Sequence, residues 1–347
     1  MPIATADFWL GFMSSEANHQ PPEFAKHWAK ELGSSEKSLM QLQGGINNRV
    51  FRCGECPNQW VIKGYSPLEQ NQRNRMKAEV EFLRYAQLVA PGRIPELIAI
   101  DNERRCVILE YINGKSYTKG ESPSLNDQEE ALLFFHELNT QKEAAKELIT
   151  MDASEGFLRL TEHMKNIYDR IKSMSSSHLP FNVAKNAEII IEMLNRKADA
   201  MEKHLQGLLV NGEVIDTLDP NLRCVSPSDF GFHNALKTSH GVKFIDFEFA
   251  GWDDPAKAKA DYILQPKVPV NKNKNLSFSG WLKKHHIELE LRFNILLCLL
   301  RLKWACIILG VLNPKRLQEI LSLNDEINLE ILVSERIALA LNYLSEQ

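Results

Sequence analysis

Three polar residues stand at a spacing that suits phosphoryl transfer. Asp229 lies in Ser226-Pro227-Ser228-Asp229-Phe230-Gly231, Asn234 follows five residues on, and Asp246 sits in Phe244-Ile245-Asp246-Phe247-Glu248. Gly241 divides the two halves, and Val242 to Phe249 alternate well enough to predict a strand. Loop, turn and strand would return Asp229, Asn234 and Asp246 to one place. A carboxylate can orient an attacking hydroxyl and take its proton. An amide oxygen and a second carboxylate can hold the magnesium that bridges nucleotide phosphates. The same residues would also suit a polar surface loop ahead of a strand, so the neighbouring elements must decide.

Two charges upstream bear on that choice. Lys63 closes the apolar stretch Trp60-Val61-Ile62, where an ammonium without an anion is costly. Asn74 to Gln87 reads as a helix with Met76, Val80 and Leu83 as its stripe, and Glu79 falls within that stripe. An acid on a buried stripe needs a cation, and Lys63 is the nearest candidate. Glu81 points the opposite way and is expected to be solvated. Ahead of them, Gly44-Gly45 can bring backbone amides close to phosphates, although an ordinary hairpin turn also uses such a pair.

The elements around these residues read in order. Residues 1–37 are expected to form a helical preface, with Phe24, Trp28 and Leu32 on one face and Gly33 as its end. Ser38 to Lys63 suggests two linked hairpins, and Leu97–Ile100 and Cys106–Tyr111 suggest strands. This gives a five-stranded small lobe that crosses near Asn113 to a helical one. At the crossing, backbone groups of Glu110 to Ile112 could pair with a nucleobase. Asp127–Leu148, Phe157–Ser173 and Asn182–Leu208 read as amphipathic helices, with His136 and His163 as packing or surface histidines. The domains expected are therefore an extension at 1–37, a nucleotide-binding sheet with one helix at 38–113, and a helical part with the catalytic loop and acceptor site at 114–347.

Several tempting motifs carry less. Cys53-Gly54-Glu55-Cys56 has half the spacing of a zinc knuckle but no second pair near it. Asn113-Gly114-Lys115-Ser116 ends like a P-loop, yet Leu109 stands where that motif needs glycine. Asp253-Asp254-Pro255 looks like an acidic wall, but an aspartate before a proline is better read as a helix N-cap. Phe293–Leu312 is apolar enough for a membrane span, but Arg301 and Lys303 at its centre would each make insertion cost about 2.5 to 3.5 kcal/mol. It is read as a buried helix, so no membrane insertion is expected. A net charge of −4 argues against a nucleic-acid partner. Met1 to Phe12 lacks the charged and apolar regions of a secretory leader, and six scattered cysteines suit a reduced, cytoplasmic protein.

Taken in order, the motifs resemble the aminoglycoside phosphotransferase and choline kinase superfamily. The resemblance rests on Gly44-Gly45-Ile46-Asn47-Asn48-Arg49-Val50-Phe51, Val61-Ile62-Lys63, Glu79 with Phe82-Leu83, and Ile108-Leu109-Glu110-Tyr111. It continues through Phe135-His136-Glu137-Leu138-Asn139, Asp229 to Asn234, and Ile245 to Gly251. It implies an α+β, protein-kinase-like two-lobed fold with a small β-rich N-lobe and a larger α-helical C-lobe. It also implies ATP or GTP with Mg2+ in the cleft, and a small-molecule acceptor. Gly44, Gly45, Asn47, Lys63, Glu79, Glu110 and Ile112 would serve the nucleotide, Asp229 would be the base, and Asn234 and Asp246 would hold the metal. Glu248 would sit beside the substrate or a second metal. Pro227 departs from the pattern, because the family usually has a histidine two residues before the catalytic aspartate. A catalytically inactive nucleotide-binding scaffold of the same fold is the alternative.

Overall fold

The computed structural model describes residues 20–42, 48–67, 73–271, 287–322 and 327–345. Gly44, Gly45 and Asn47 lie outside the described residues. The chain forms two compact units, one of residues up to Ser154 with Cys224–Trp252, the other of Glu155–Arg223 with residues from Asp253 onward.

The first unit is built on a five-stranded antiparallel sheet. Its strands are β1 (Met40–Gln41), β2 (Asn48–Glu55), β3 (Asn58–Tyr65), β4 (Leu97–Asp101) and β5 (Cys106–Glu110), in the order β1-β2-β3-β5-β4. Side chains alternate across a strand, so the two faces of β3 have different duties. Ile62 and Gly64 face helix α1 (Glu23–Glu31), which covers that side. A Cβ on Gly64 would stand 2.3 Å from the Phe24 ring, so glycine is required for the helix to approach this closely. Of the expected preface, the described residues 20–37 pack on the sheet, with Phe24, Trp28 and Leu32 against Ala29, Cys53 and Ile62. Trp28 Nε1 also donates to Asp101 Oδ2 at 2.9 Å. Cys53 is buried in this core and Cys56 is exposed.

Lys63 and Tyr65 fall on the other face of β3, and Asn48 lies directly across from Tyr65. Against them runs α2 (Arg75–Val89), started by the Asn74 side chain accepting from Lys77 N. Its buried stripe of Met76, Glu79, Val80 and Leu83 is the one the spacing predicts. Glu81 differs from expectation. Its side chain is 14% exposed and accepts from Thr150 N at 2.9 Å and Thr150 Oγ1 at 2.8 Å. It tethers the segment that follows a later helix instead of facing water.

After β6 (Lys115–Ser116), the expected long helix is two, α3 (Leu125–Glu137) and α4 (Lys142–Leu148). Ser124 and Asp127 close α3 with a reciprocal capping box. Later in the chain come β7 (Cys224–Ser226), the hairpin β8 (Ala235–Thr238) and β9 (Gly241–Phe244), and β10 (Gly251–Asp253). The hairpin turn needs a left-handed residue, and Gly241 has φ +108°.

The second unit is helical, with α5 (Leu160–Lys172), α6 (Phe181–Val210), α7 (Pro255–Leu264), α8 (Ile287–Ile308), α9 (Pro314–Leu321) and α10 (Leu329–Ser345). Asp254 caps α7 through Ala256 N at 2.8 Å with Pro255 in its first turn, as the sequence predicts. The apolar stretch Leu289–Leu312 is long enough to cross a membrane, yet two thirds of its most apolar window is buried in the protein. Two of its cations are matched inside: Arg292 Nε meets Asp254 at 2.6 Å and Lys303 Nζ meets Asp261 at 2.7 Å. His163 is buried here and His136, on α3, is exposed.

Candidate active site

The first unit gathers the described candidate residues into one framework. Strand β3 delivers Lys63, α2 delivers Glu79, and the segment after β9 delivers Asp246. Lys63 Nζ lies 2.6 Å from Glu79 Oε2 and 2.6 Å from Asp246 Oδ1. Burial pulls the Lys63 ammonium down, but the charges of Asp246, Glu79 and Glu248 outweigh it and hold its pKa above the ordinary value. It is therefore a fixed cation. Tyr65, two residues on and hence on the same face, donates its hydroxyl to Glu79 Oε2 at 2.6 Å. Burial, then the Glu79 charge, keep that phenol protonated well beyond its usual range.

Asp246 does not lie on a strand. β9 ends at Phe244, and Asp246 takes φ +67°, a conformation an aspartate adopts only under local constraint. The constraint is visible on either side of it. Ile245 N donates to Asn234 O at 2.9 Å, so the hairpin closes with Asn234 at its entry and Asp246 at its exit. On the far side, Phe247 stacks on Phe82 at 4.5 Å between ring centroids, and its amide faces Glu79 Oε1 at 3.4 Å. Glu79 and Phe82 are one helical turn apart, so α2 grips the loop by a carboxylate and a ring together. The expected strand through Phe249 fails because these apolar side chains are buried by ring packing and not by sheet pairing.

The Asp229 loop is held from its start. Asn139 brackets Val225, donating to its carbonyl at 3.0 Å and accepting from its amide at 2.9 Å. Ser228, next to Asp229, has φ +66°, stabilised by its amide on Ser226 Oγ at 2.9 Å and its hydroxyl on Ser154 O at 3.1 Å. Phe230 is buried against Phe244 at 5.2 Å, which is a packing role for the middle of Asp229-Phe230-Gly231. A 3-10 turn over Phe232–Asn234 then bends the chain back. Asn234 Nδ2 donates to Asp229 O at 3.1 Å and to Asp229 Oδ2 at 3.2 Å. His233 Nε2 reaches Asp229 Oδ1 at 3.0 Å.

Glu248 is 3% exposed. Burial, then the neighbouring charge of Asp246, push its pKa up to about 7. Asn48 donates to it and Arg75 lies 3.6 Å away. Arg73 holds the backbone of this loop, donating to Glu248 O at 3.1 Å, Ala250 O at 2.6 Å and Asp152 O at 2.5 Å. Sequence reasoning missed Asn48, Tyr65, Arg73 and His233. Tyr65 was within reach, since a period of two places it beside Lys63, and His233 was too, four residues from Asp229; Asn48 and Arg73 meet partners 200 and 175 residues away.

At the end of β5, an inner strand, the Glu110 amide donates to Glu96 O at 2.9 Å, and its carboxylate pairs with Lys243 at 3.2 Å. Ile112 is buried.

The donor set suits a hard cation. Because a carboxylate only accepts, Asn234 must turn its NH2 to Asp229, which leaves its Oδ1 for a metal. Asp246 gives one oxygen to Lys63 while its side chain remains 41% exposed. These are oxygen ligands of the kind magnesium takes.

Comparison with known proteins bears on the family and the fold. Residues 38–257 match the model of the phosphotransferase enzyme family (APH). None of the curated proteins matches the sequence. Among solved structures, the chain is similar to a choline/ethanolamine kinase family protein from Mesorhizobium loti, at 18% identity over 89% of this chain and 88% of that one, with a TM-score of 0.51. It is also similar to an ethanolamine kinase from Plasmodium vivax, at 14% identity over 91% and 85%, TM-score 0.49. A spectinomycin phosphotransferase in complex with ADP and spectinomycin follows at 13% identity over 88% and 93%, TM-score 0.49. With more than half of its length inside the family model and a protein-kinase-like fold, the chain belongs to the phosphotransferase enzyme family.

Proposed function

We propose that the protein transfers the γ-phosphoryl group of ATP or GTP to a hydroxyl of a small molecule. The acceptor would be a sugar, an amino sugar such as an aminoglycoside, or an amino alcohol such as choline. The observation that carries this reading is the Lys63 ammonium, held between Glu79 and Asp246 at 2.6 Å each in the same unit as the Asp229 loop.

Each residue has a distinct duty in that reaction. Lys63, kept charged by its acids, binds the nucleotide phosphates, and Glu79 fixes where its ammonium stands. Asp246 and the free Oδ1 of Asn234 would hold Mg2+. When bound, that ion supplies positive charge against the phosphate oxygens. Asp229 orients the acceptor hydroxyl and receives its proton. The magnitude at stake is large: orientation of reacting groups alone is worth roughly 7 to 11 kcal/mol of a barrier. Asp246 carries a further duty before the nucleotide arrives, since it neutralises a cation that would otherwise be buried with one partner.

A screen of ATP and GTP against sugars, aminoglycosides and amino alcohols, read by coupled release of the nucleoside diphosphate, tests the reading. Turnover that needs both magnesium and a hydroxyl acceptor supports it. Nucleotide binding with no transfer to any acceptor would favour the inactive scaffold, for which Pro227 is the one sequence feature.

A further inference from the structure

Asp229 carries a second hydrogen-bond partner that the reading above leaves unused. The 3-10 turn over Phe232–Asn234 points two consecutive side chains back at one carboxylate. Asn234 Nδ2 reaches Oδ2 at 3.2 Å and His233 Nε2 reaches Oδ1 at 3.0 Å. The turn itself is anchored, because Phe232 is fully buried with its ring 5.0 Å from Tyr117, and Ala235 behind it is 2% exposed. The His233 side chain is 6% exposed and that of Asp229 is 15% exposed. This is an imidazole inside the protein, fixed on the candidate base.

We propose that His233 is the positioning residue of Asp229, setting the plane of its carboxylate so that one oxygen faces the acceptor hydroxyl. The proposal rests on the phosphotransfer reading and adds to it. The terminal torsion of an aspartate is soft and roughly two-fold, so a single donor leaves the carboxylate free to rock. Two donors on different oxygens fix the plane. The bond also assigns the ring's proton. A carboxylate accepts, so Nε2 must carry hydrogen. His233 and Asn234 thus divide the carboxylate between them, the imidazole on Oδ1 and the amide on Oδ2. Pro227, which has no side-chain donor, cannot supply this restraint from the other side of the loop.

The test compares His233→Leu, His233→Gln and His233→Asn in the full chain. The amide nitrogen of glutamine reaches about as far as Nε2, whereas that of asparagine stops near Nδ1. The probe is magnesium-dependent ADP release from ATP, with choline, ethanolamine and spectinomycin each as acceptor and with water alone. The leucine and asparagine variants should lose about ten- to a hundredfold in kcat, the scale of a misplaced catalytic group, with KM for ATP within about twofold. The glutamine variant should return to within about threefold of wild type, on the same reasoning. Should the leucine variant fail to fold, the contrast between glutamine and asparagine decides. Equal losses in all variants would make His233 a packing residue and overturn the proposal, as would an unchanged rate in the leucine or asparagine variant. A wild-type protein that binds magnesium-ADP yet turns over nothing would overturn the phosphotransfer reading itself, and the proposal with it.

Discussion

Replacing Glu79 by glutamine tests the framework at its most connected point. Glu79 Oε2 accepts from Lys63 and from the Tyr65 hydroxyl, each at 2.6 Å, and Oε1 faces Phe247 N at 3.4 Å. Glutamine keeps one acceptor. Placed on the Lys63 side, it turns its NH2 towards the Phe247 amide, donor against donor. Placed the other way, it strips both Lys63 and Tyr65. The first arrangement is cheaper. It removes the charge from a hydrogen bond worth about 1.5 to 3 kcal/mol and gives up a long, weak one. Lys63 keeps Asp246, but that carboxylate is 41% exposed and its attraction is screened. The expected loss of stability is about 2 kcal/mol, below the roughly 3 to 5 kcal/mol of a buried pair broken outright. The loss of rate should be larger in effect, about ten- to a thousandfold, or roughly 1.4 to 4 kcal/mol of barrier, because the ammonium no longer stands in one place. Glu81→Gln is the control. Glu81 serves Thr150 at 2.8 and 2.9 Å, so this variant should lose about 0.5 to 1.5 kcal/mol of stability and no rate. Urea denaturation followed by circular dichroism gives the first quantity, and coupled ADP release at saturating magnesium gives the second. A folded Glu79→Gln enzyme with wild-type kcat would refute the reasoning, and so would equal rate losses in the two variants.

Asp246→Asn should abolish transfer and weaken magnesium-dependent nucleotide binding, whereas Asp229→Asn should stop transfer and leave that binding intact; calorimetry with magnesium-ADP separates them. Glu248→Gln should change how stability depends on pH. With its folded pKa at about 7 against 4.5, Glu248 holds more proton folded than unfolded between those values, so wild-type stability falls as pH rises through that window. In chelator, the glutamine variant should match wild type near pH 5 and exceed it by up to about 3 kcal/mol at pH 8, as read by urea denaturation at the two pH values. Arg292→Met strands the buried Asp254 carboxylate, 2.6 Å from the guanidinium, and removes donors to Leu158 O and Asp216 O. It should cost about 3 to 5 kcal/mol in the same assay.

What the sequence makes legible follows from how local the cause is. Lys63 and Glu79 can be read because each stands in an apolar pattern where a charge needs a partner, and the patterns lie sixteen residues apart. The α7 start at Asp254-Pro255 is legible for the same reason, since a cap acts within one turn. Asp246 is legible as a residue but not in its conformation. The run from Phe244 to Phe249 has the composition of a strand, and only the ring of Phe82 on a distant helix explains why it leaves the sheet. Glu81 shows the limit of a helical wheel, which gives the direction of a side chain but not what waits there. Thr150, sixty-nine residues later, makes that side chain a tether. Arg73 and Asn48 act on Glu248 or its backbone across 175 and 200 residues, with nothing in the neighbouring sequence to mark them.

The two units use their acids in different places. In the second unit, every carboxylate of Asp253, Asp254 and Asp261 is matched by Lys257, Arg292 or Lys303, so these acids hold helices together. The first unit crowds its acids on one loop, with Lys63 2.6 Å from Asp246 and Arg75 3.6 Å from Glu248. Asp246 and Glu248 are two residues apart, the second is 3% exposed, and its neighbour's charge works against its ionisation. Asp246 is held in a left-handed conformation that Arg73, Phe82 and Glu79 are placed to enforce around it. Such crowding and strain cost of order 1 to 3 kcal/mol for the backbone alone. A divalent cation bound between them would reverse the repulsion between the two acids, and an inactive nucleotide-binding protein of the same fold would use it equally, so transfer itself is read from the acceptor screen.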